Sequence, residues 1–223
     1  MSRDCADCEK VMTDFVRGPD VLPPLLPRLQ FDVLVVDPPW SYGKATSERK
    51  CSRNVSSRHY TTIGQGSGGE INRRTGAGIS NIIEATPIPQ WAADDAHLYL
   101  WTTNPKLPFA FEVMEQWGFI YKTTLTWVKT RRDGGVHGGG MGWFFRGATE
   151  HVLFGVRGNK PIPSSLRSPN VVMAQKGRHS QKPDAFYDLV DAVSQPSDRK
   201  LDVYCRGVPR GGWWGWGDEV SRE

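Results

Sequence analysis

The chain has 223 residues, 38% of them hydrophobic and 23% charged, with 28 Lys and Arg against 24 Asp and Glu for a formal net charge of +4. That size and balance specify one globular domain able to bury a core without disulfides or metals. They exclude a collagen, a coiled coil, a disulfide-framework toxin and a wholly disordered chain, and the small positive excess permits an anionic partner without proving one.

Residues 1–30 are charged and then proline-rich (Pro19, Pro23, Pro24, Pro27), and read as an arm with a short helix. The domain proper spans 31–223. It opens with Phe31-Asp-Val-Leu-Val-Val-Asp37, a near-continuous apolar run ending in an acid, as expected of a strand buried on both faces of a parallel sheet. Residues 41–78 have no clear period, and the basic, glycine-rich stretch 44–78 reads as a long loop inside the domain. Ile79 to Ala93 reads as helix in two pieces, broken near Pro87. His97–Thr103 is a second strand. Pro105–Trp117 is an amphipathic helix with Leu107, Ala110, Phe111, Met114 and Trp117 on one face and Gly118 as its stop.

Phe119–Thr130 is a third strand, followed by a basic and then glycine-rich loop to Gly142. Glu150–Val156 and Val171–Ala174 read as strands. Asp184–Ser194 reads as a helix with Phe186, Leu189, Val190 and Val193 inward, and Lys200–Cys205 as a last strand. The tail Gly211–Gly217 is aromatic and reads as irregular. Strands alternating with helices predict an α/β domain with a mostly parallel sheet.

Four cysteines are present. Cys5 and Cys8 form half a metal motif with no second pair at ligand spacing, so free thiols in a reducing compartment and no metal are expected. No apolar run reaches the ~18 residues of a membrane span, and MSRDCADCEK lacks the apolar core of a signal peptide, so the expected location is cytoplasmic. Nine Trp are unusually many, and each must pack or stack on something.

Asp37-Pro38-Pro39-Trp40 carries the sharpest chemistry. An acid leaves a buried strand and two prolines stiffen the turn. Proline has no N–H, so nearby carbonyls are expected to point out unpaired, with the Trp40 ring beside them. Two acceptors beside a stacking plate suit an exocyclic amine on a flat ring. The alternative is a tight strand-ending turn with Trp40 in the core.

This segment resembles the motif of N6-adenine methyltransferases that use S-adenosylmethionine. The rest, from about Phe31 to Val220, is similar to the MT-A70 family. Five further segments carry the resemblance in order: Leu98–Trp101, Trp127–Lys129, Gly142–Gly158, Ser180–Asp184, and Arg199–Arg206. The resemblance implies a Rossmann-like class I methyltransferase fold in permuted order, with the catalytic motif early, the cofactor strand late, and helices on both faces of the sheet. It also accounts for the missing glycine-rich nucleotide loop after the first strand.

The resemblance implies a role for each matched residue. Asp37 and the Pro38 carbonyl would accept hydrogen bonds from the adenine amine, within a catalytic set of Asp37, Pro38, Pro39 and Trp40. Asp37 also borders the cofactor. Lys182 would meet the carboxylate of S-adenosylmethionine, Asp202 the ribose hydroxyls, and Arg206 would lie beside the ribose. Asp218 and Glu219 align with the segment that closes over the cofactor, where the family often carries amides. Tyr42, Tyr60, Trp143, Arg146, Glu150 and His151 would flank the base; Glu150 and His151 could equally form a satisfied structural pair. The product is S-adenosylhomocysteine and no metal is implied.

Compact members of the family more often act on DNA, so a site-specific DNA N6-adenine methyltransferase is the expected activity. RNA N6-adenosine methylation is the alternative, and a catalytically weak nucleic-acid-binding subunit is a further one; a small amine is a weaker substrate reading. The expected partner is nucleic acid, with no membrane. The chain acts as a monomer, a homodimer, or beside a methyltransferase-like partner subunit.

Overall fold

The computed structural model describes residues 29–40, 86–140, 142, 144–178 and 181–217, together with the backbone of 219–220. The arm read at 1–30 lies outside them except for its last two residues, and so does the loop read at 44–78.

The elements in chain order are β1 (Phe31–Val36), α1 (Ile88–Trp91), β2 (Ala92–Thr102), α2 (Leu107–Gln116), β3 (Ile120–Thr130), β4 (Thr149–Arg157), β5 (Val171–Gln175), α3 (Asp184–Val193), β6 (Lys200–Val203), β7 (Arg206–Gly207), β8 (Trp213–Trp216) and β9 (Glu219–Val220). Seven of the described strands form one sheet in the order β5-β3-β4-β2-β1-β6-β8, and β7 pairs with β9. Only β4 runs against the others within that sheet. The carboxyl ends of six strands therefore share one edge with the start of β4.

The two faces of the sheet are set by the two-residue period of its strands. Phe31, Leu34 and Val36 of β1 pack with Ala110, Val113 and Met114 of α2. Val33 and Val35 pack the other way, with Phe186 and Val190 of α3. Each face thus has its own helix and its own apolar layer, as the α/β class requires. Burying one such Val, Leu or Phe side chain contributes about 1.5–3 kcal/mol.

Four sequence expectations change. β2 begins at Ala92, five residues before His97. Asp94 and Asp95 disguise its start; they are exposed, and the Asp95 carboxylate accepts the Asn159 N–H at 2.6 Å. On α2, Val113 is buried, whereas Phe111 is 40% exposed and packs edge-on against Tyr121. The last sheet strand read at 200–205 stops at Val203, where Tyr204 turns into a left-handed conformation at φ 65°.

The aromatic tail is a strand. β8 pairs in parallel with β6, sending Trp213 into the α3 layer and Trp214 and Trp216 into the α2 layer. A strand buried on both faces has no polar alternation to announce it. This also answers the tryptophan excess. Trp40, Trp91, Trp101, Trp117, Trp127, Trp213 and Trp216 are all buried.

Candidate active site

The strand phase that separates the two cores also collects the charges. Asp37 follows Val33 and Val35 in step, Asp202 follows Lys200, Lys129 follows Leu125 and Trp127, and Glu150 precedes Val152 and Phe154. All four stand on the α3 face at the carboxyl edge. Lys182 arrives just before α3, two residues ahead of Asp184. This is the edge at which open α/β sheets bind ligands.

The charges form an alternating row. Lys129 Nζ donates to Glu150 Oε1 at 2.6 Å. Glu150 Oε2 accepts from Lys182 Nζ at 2.8 Å, and the same ammonium lies 3.3 Å from Asp37 Oδ1. The row lies over aromatic faces, with Lys182 4.6 Å above the Trp101 ring and Lys129 5.0 Å above Trp127. Such faces favour a cation while excluding water. Beside the row, the Tyr187 hydroxyl donates to Asp202 Oδ2 at 3.0 Å.

The electrostatics differ from group to group. Burial lifts the Asp37 carboxyl above its usual range, while Lys182 and then Arg206 pull it back. Burial likewise pushes Asp202 up to about 7, against the hydrogen bond from Tyr187, and the Asp37 charge adds to the rise. Burial alone would raise Glu150, but Lys182 and Lys129 hold it below the ordinary carboxylate value. Burial would lower Lys182, yet Asp37 and Glu150 more than reverse that and keep it charged. The edge therefore holds one firmly ionised carboxylate, Glu150, and two that resist ionisation, Asp37 and Asp202.

The structure thus brings together Asp37, Lys182, Glu150 and Asp202, with Arg206 close enough for its charge to act on Asp37. The backbone of Glu219 pairs with Arg206 across the β7–β9 ladder. Tyr42, Tyr60, Trp143 and Asp218 lie outside the described residues, as does the Glu219 side chain. Arg146 is exposed on the loop leading to β4.

Three expectations about the motif and its flanks are corrected. Trp40 is not a plate beside the turn: it is 6% exposed in the α2 layer, and its indole N–H donates to the Trp101 carbonyl at 2.9 Å. A buried indole needs an acceptor, and the end of β2 supplies one. The Pro38 carbonyl is not unpaired either, since it accepts the Trp40 N–H at 2.7 Å in a two-residue turn. Its second lone pair is what remains for another donor. Pro39 is buried behind it and holds the turn.

Glu150 and His151 are not a pair. Neighbours in a strand face opposite ways, so His151 lies across the sheet, where Nε2 meets Asn104 Oδ1 at 2.9 Å and Nδ1 meets Thr126 Oγ1 at 3.2 Å.

Tyr187, Trp101 and Lys129 are the members that sequence reasoning missed as site residues. Their signal was phase. Lys129 shares the two-residue step of Leu125 and Trp127, and Tyr187 sits beside the inward Phe186 of α3. Neither step means anything until the facing strands are known.

The family model for MT-A70 matches residues 31–219. The chain is 29% identical over 204 residues to the type II methyltransferase M.MunI of a Mycoplasma species, covering 88% of this chain and 81% of that protein. It is 28% identical over 198 residues to the N6-methyladenosine RNA methyltransferase MTA1 of Cryphonectria parasitica, 86% of this chain and 52% of that one. It is 25% identical over 184 residues to the human N(6)-adenosine-methyltransferase catalytic subunit METTL3, 79% of this chain and 26% of that one. The chain thus spans most of M.MunI but about half or less of the other two.

The chain belongs to the MT-A70 family, and the open, mostly parallel sheet is that family's Rossmann-like methyltransferase fold. Its chemistry is methyl transfer to the N6 amine of adenine. Among the described residues, no helix is long and apolar enough to cross a membrane.

Proposed function

We propose that the protein transfers a methyl group from S-adenosylmethionine to adenine N6 in DNA, in the cytoplasm, as a single catalytic domain spanning 31–223. The observation that carries this reading is the Asp37–Lys182 contact at the carboxyl edge, which joins the catalytic motif to a cation suited to the cofactor.

The residues present fit the cofactor. Asp202 Oδ2 takes the Tyr187 hydroxyl and the carboxylate also meets the Cys205 thiol, a weak donor that a ribose hydroxyl would displace. Lys182 stands where a carboxylate could join or replace its acidic partners, and Arg206 adds a positive charge nearby. When bound, S-adenosylmethionine supplies an electrophilic methyl group on a sulfonium.

The chain's own residues prepare the acceptor. Asp37 turns Oδ1 toward Lys182, and among the described residues Oδ2 has no hydrogen-bond partner. That oxygen and the second lone pair of the Pro38 carbonyl accept the two amine hydrogens of adenine. Holding both hydrogens favours a pyramidal nitrogen with its lone pair directed outward, which is electrostatic preorganisation. Proximity supplies the remainder. The raised affinity of Asp37 for a proton suits it to hold the one the methylated amine must release. Asp37 and Glu150 keep Lys182 charged, and Glu150 is in turn held by Lys129.

DNA is favoured by the likeness to a type II methyltransferase over most of both chains. RNA is the second reading, favoured by the names of MTA1 and METTL3. The experiment gives the purified protein labelled S-adenosylmethionine with duplex DNA, single-stranded DNA or RNA, and reads nucleosides by mass spectrometry. N6-methyldeoxyadenosine is expected. N6-methyladenosine from the RNA arm alone would overturn the choice of DNA. Cofactor binding by calorimetry with no product in any arm would favour a non-catalytic subunit, or a requirement for a second methyltransferase-like chain.

A further inference from the structure

The described residues of the loop between β3 and β4 form a finger that carries two exposed phenylalanine rings, Phe144 and Phe145. Its base is closed by the Lys129 N–H donating to the Ala148 carbonyl at 2.8 Å, by the His137 N–H donating to the Lys129 carbonyl at 2.7 Å, and by an antiparallel bridge between Thr130 and Val136. Further out, the two arms touch backbone to backbone. A Cβ on Gly140 would collide with the Gly147 carbonyl, and one on Gly142 with the Phe145 carbonyl. Glycine is required at both places because no side chain fits between the arms.

At the tip, Phe144 is 96% exposed and Phe145 90% exposed. Among the described residues neither ring has an aromatic partner. A scattered exposed Leu or Val needs no explanation, but two adjacent, almost fully exposed phenylalanines on arms that touch backbone to backbone do.

The finger is continuous with the catalytic edge. Its base residue Lys129 holds Glu150, which holds Lys182, which meets Asp37. Its charge also identifies the occupant. Arg132 and Arg146 are exposed on the finger and have no acidic partner among the described residues, while Asp133, its one acid, is bound to Arg131. Apolar rings among unmatched cations suit a phosphate-flanked stack of bases, since base faces take the rings and phosphates take the arginines.

We infer that this finger is a wedge: Phe144 and Phe145 enter the base stack beside the target adenine and stand in for its stacking when the base leaves the duplex for Asp37. The inference rests on the proposed nucleic-acid substrate and adds how that substrate is opened. An adenine amine inside a duplex cannot reach a buried carboxylate, so the base must be extruded, and an apolar wedge lowers the cost of unstacking.

The test uses the full chain and unmethylated plasmid DNA, either intact or heat-denatured, with labelled S-adenosylmethionine. Phe144→Ala/Phe145→Ala should cut methylation of intact duplex by at least about tenfold and cut that of denatured DNA far less, because the denatured strand needs no opening. Both rings are solvent-exposed, so the thermal midpoint should not move. Gly140→Ala is the second variant; it keeps both rings but forces the arms apart, and should show the same duplex-selective loss. Phe144→Trp, which preserves a stacking face, should retain duplex activity.

Equal losses on both DNA forms, or no loss on either, would overturn the wedge. A change in self-association of the double alanine variant without a duplex-selective loss would also overturn it and make the tip a protein contact. A wild-type protein inactive on both DNA forms but active on RNA would defeat the DNA reading instead, which keeps the two failures apart.

Discussion

Helix α3 has buried charge at both of its ends, and the two ends differ. At its start stands the Lys129–Glu150–Lys182–Asp37 row, with Asp202 beside it. Beyond its finish, at the opposite edge of the sheet, Lys160 Nζ meets Asp198 Oδ1 at 2.7 Å, Asp198 Oδ2 accepts the Gln195 N–H, and His97 Nε2 meets the Lys160 carbonyl. The distal carboxylate has both oxygens occupied. The carboxyl edge holds an Asp37 oxygen with no hydrogen-bond partner among the described residues, and two carboxyl groups raised above their ordinary pKa. Burial of charge therefore does not mark the functional end. Acceptor capacity left for an incoming molecule does, together with carboxylates that resist ionisation.

The largest expected effect lies at the catalytic end. Asp37→Asn should lower methylation by about 10²–10³-fold, the scale of losing one preorganised hydrogen-bond partner, while the fold persists. The label transferred per hour, set against an unchanged circular dichroism spectrum, checks it. If Asp37→Asn instead unfolded the chain, the contrast between the two ends would collapse.

The reciprocal effect belongs to the distal end. Lys160→Met leaves the Asp198 carboxylate buried beside an apolar chain and should cost about 3–5 kcal/mol of stability. Urea titration measures that cost, and methylation per folded molecule should stay near wild type. A large loss of turnover without a loss of stability would mean that the distal pair reaches the active edge.

Asp202 sharpens the comparison through pH. Its carboxyl titrates near 7 in the folded chain against an ordinary 3.8. Between those values the folded state holds a proton that the unfolded state has released. Stability of the cofactor-free protein therefore falls as pH rises from about 4 to about 7, then levels off. Asp202→Asn should remove that fall and stabilise the cofactor-free protein by about 1–3 kcal/mol at pH 8, less than the full shift because solvent screens part of it. Thermal midpoints across pH 4–9 read the slope. The same variant should weaken cofactor binding, so stability and affinity move in opposite directions.

The smallest effect concerns Trp40. Trp40→Phe keeps most of the buried ring but loses the hydrogen bond to the Trp101 carbonyl. It should cost about 1 kcal/mol and leave turnover within a few-fold of wild type. A hundredfold loss of turnover at unchanged stability would restore the stacking role that the sequence pattern proposed for this ring.

The sequence by itself determined the class of fold, most strand positions, and the candidate residues Asp37, Lys182 and Asp202, because these depend on local runs and short motifs. A continuous apolar run ending in Asp-Pro-Pro-Trp is legible without neighbours, and so are the Lys182 and Asp202 segments. Strand ends were less legible where polar residues disguised them, as at Asp94 and Asp95, or where burial on both faces removed the alternation, as at Trp213–Trp216.

Only the tertiary structure decided which residues meet. The reversal of β4 brings the start of that strand, and with it Glu150, to the edge where its neighbours end. The pleat then sends Glu150 toward Lys182 and His151 to the far side. Trp40 could be a plate or a core residue until the end of β2 was placed beside it with a carbonyl to take its N–H. Periodicity assigns a side chain to one of two faces. Which face holds the chemistry, and what stands opposite, follows from strand order and direction, and those depend on contacts between residues far apart in the chain.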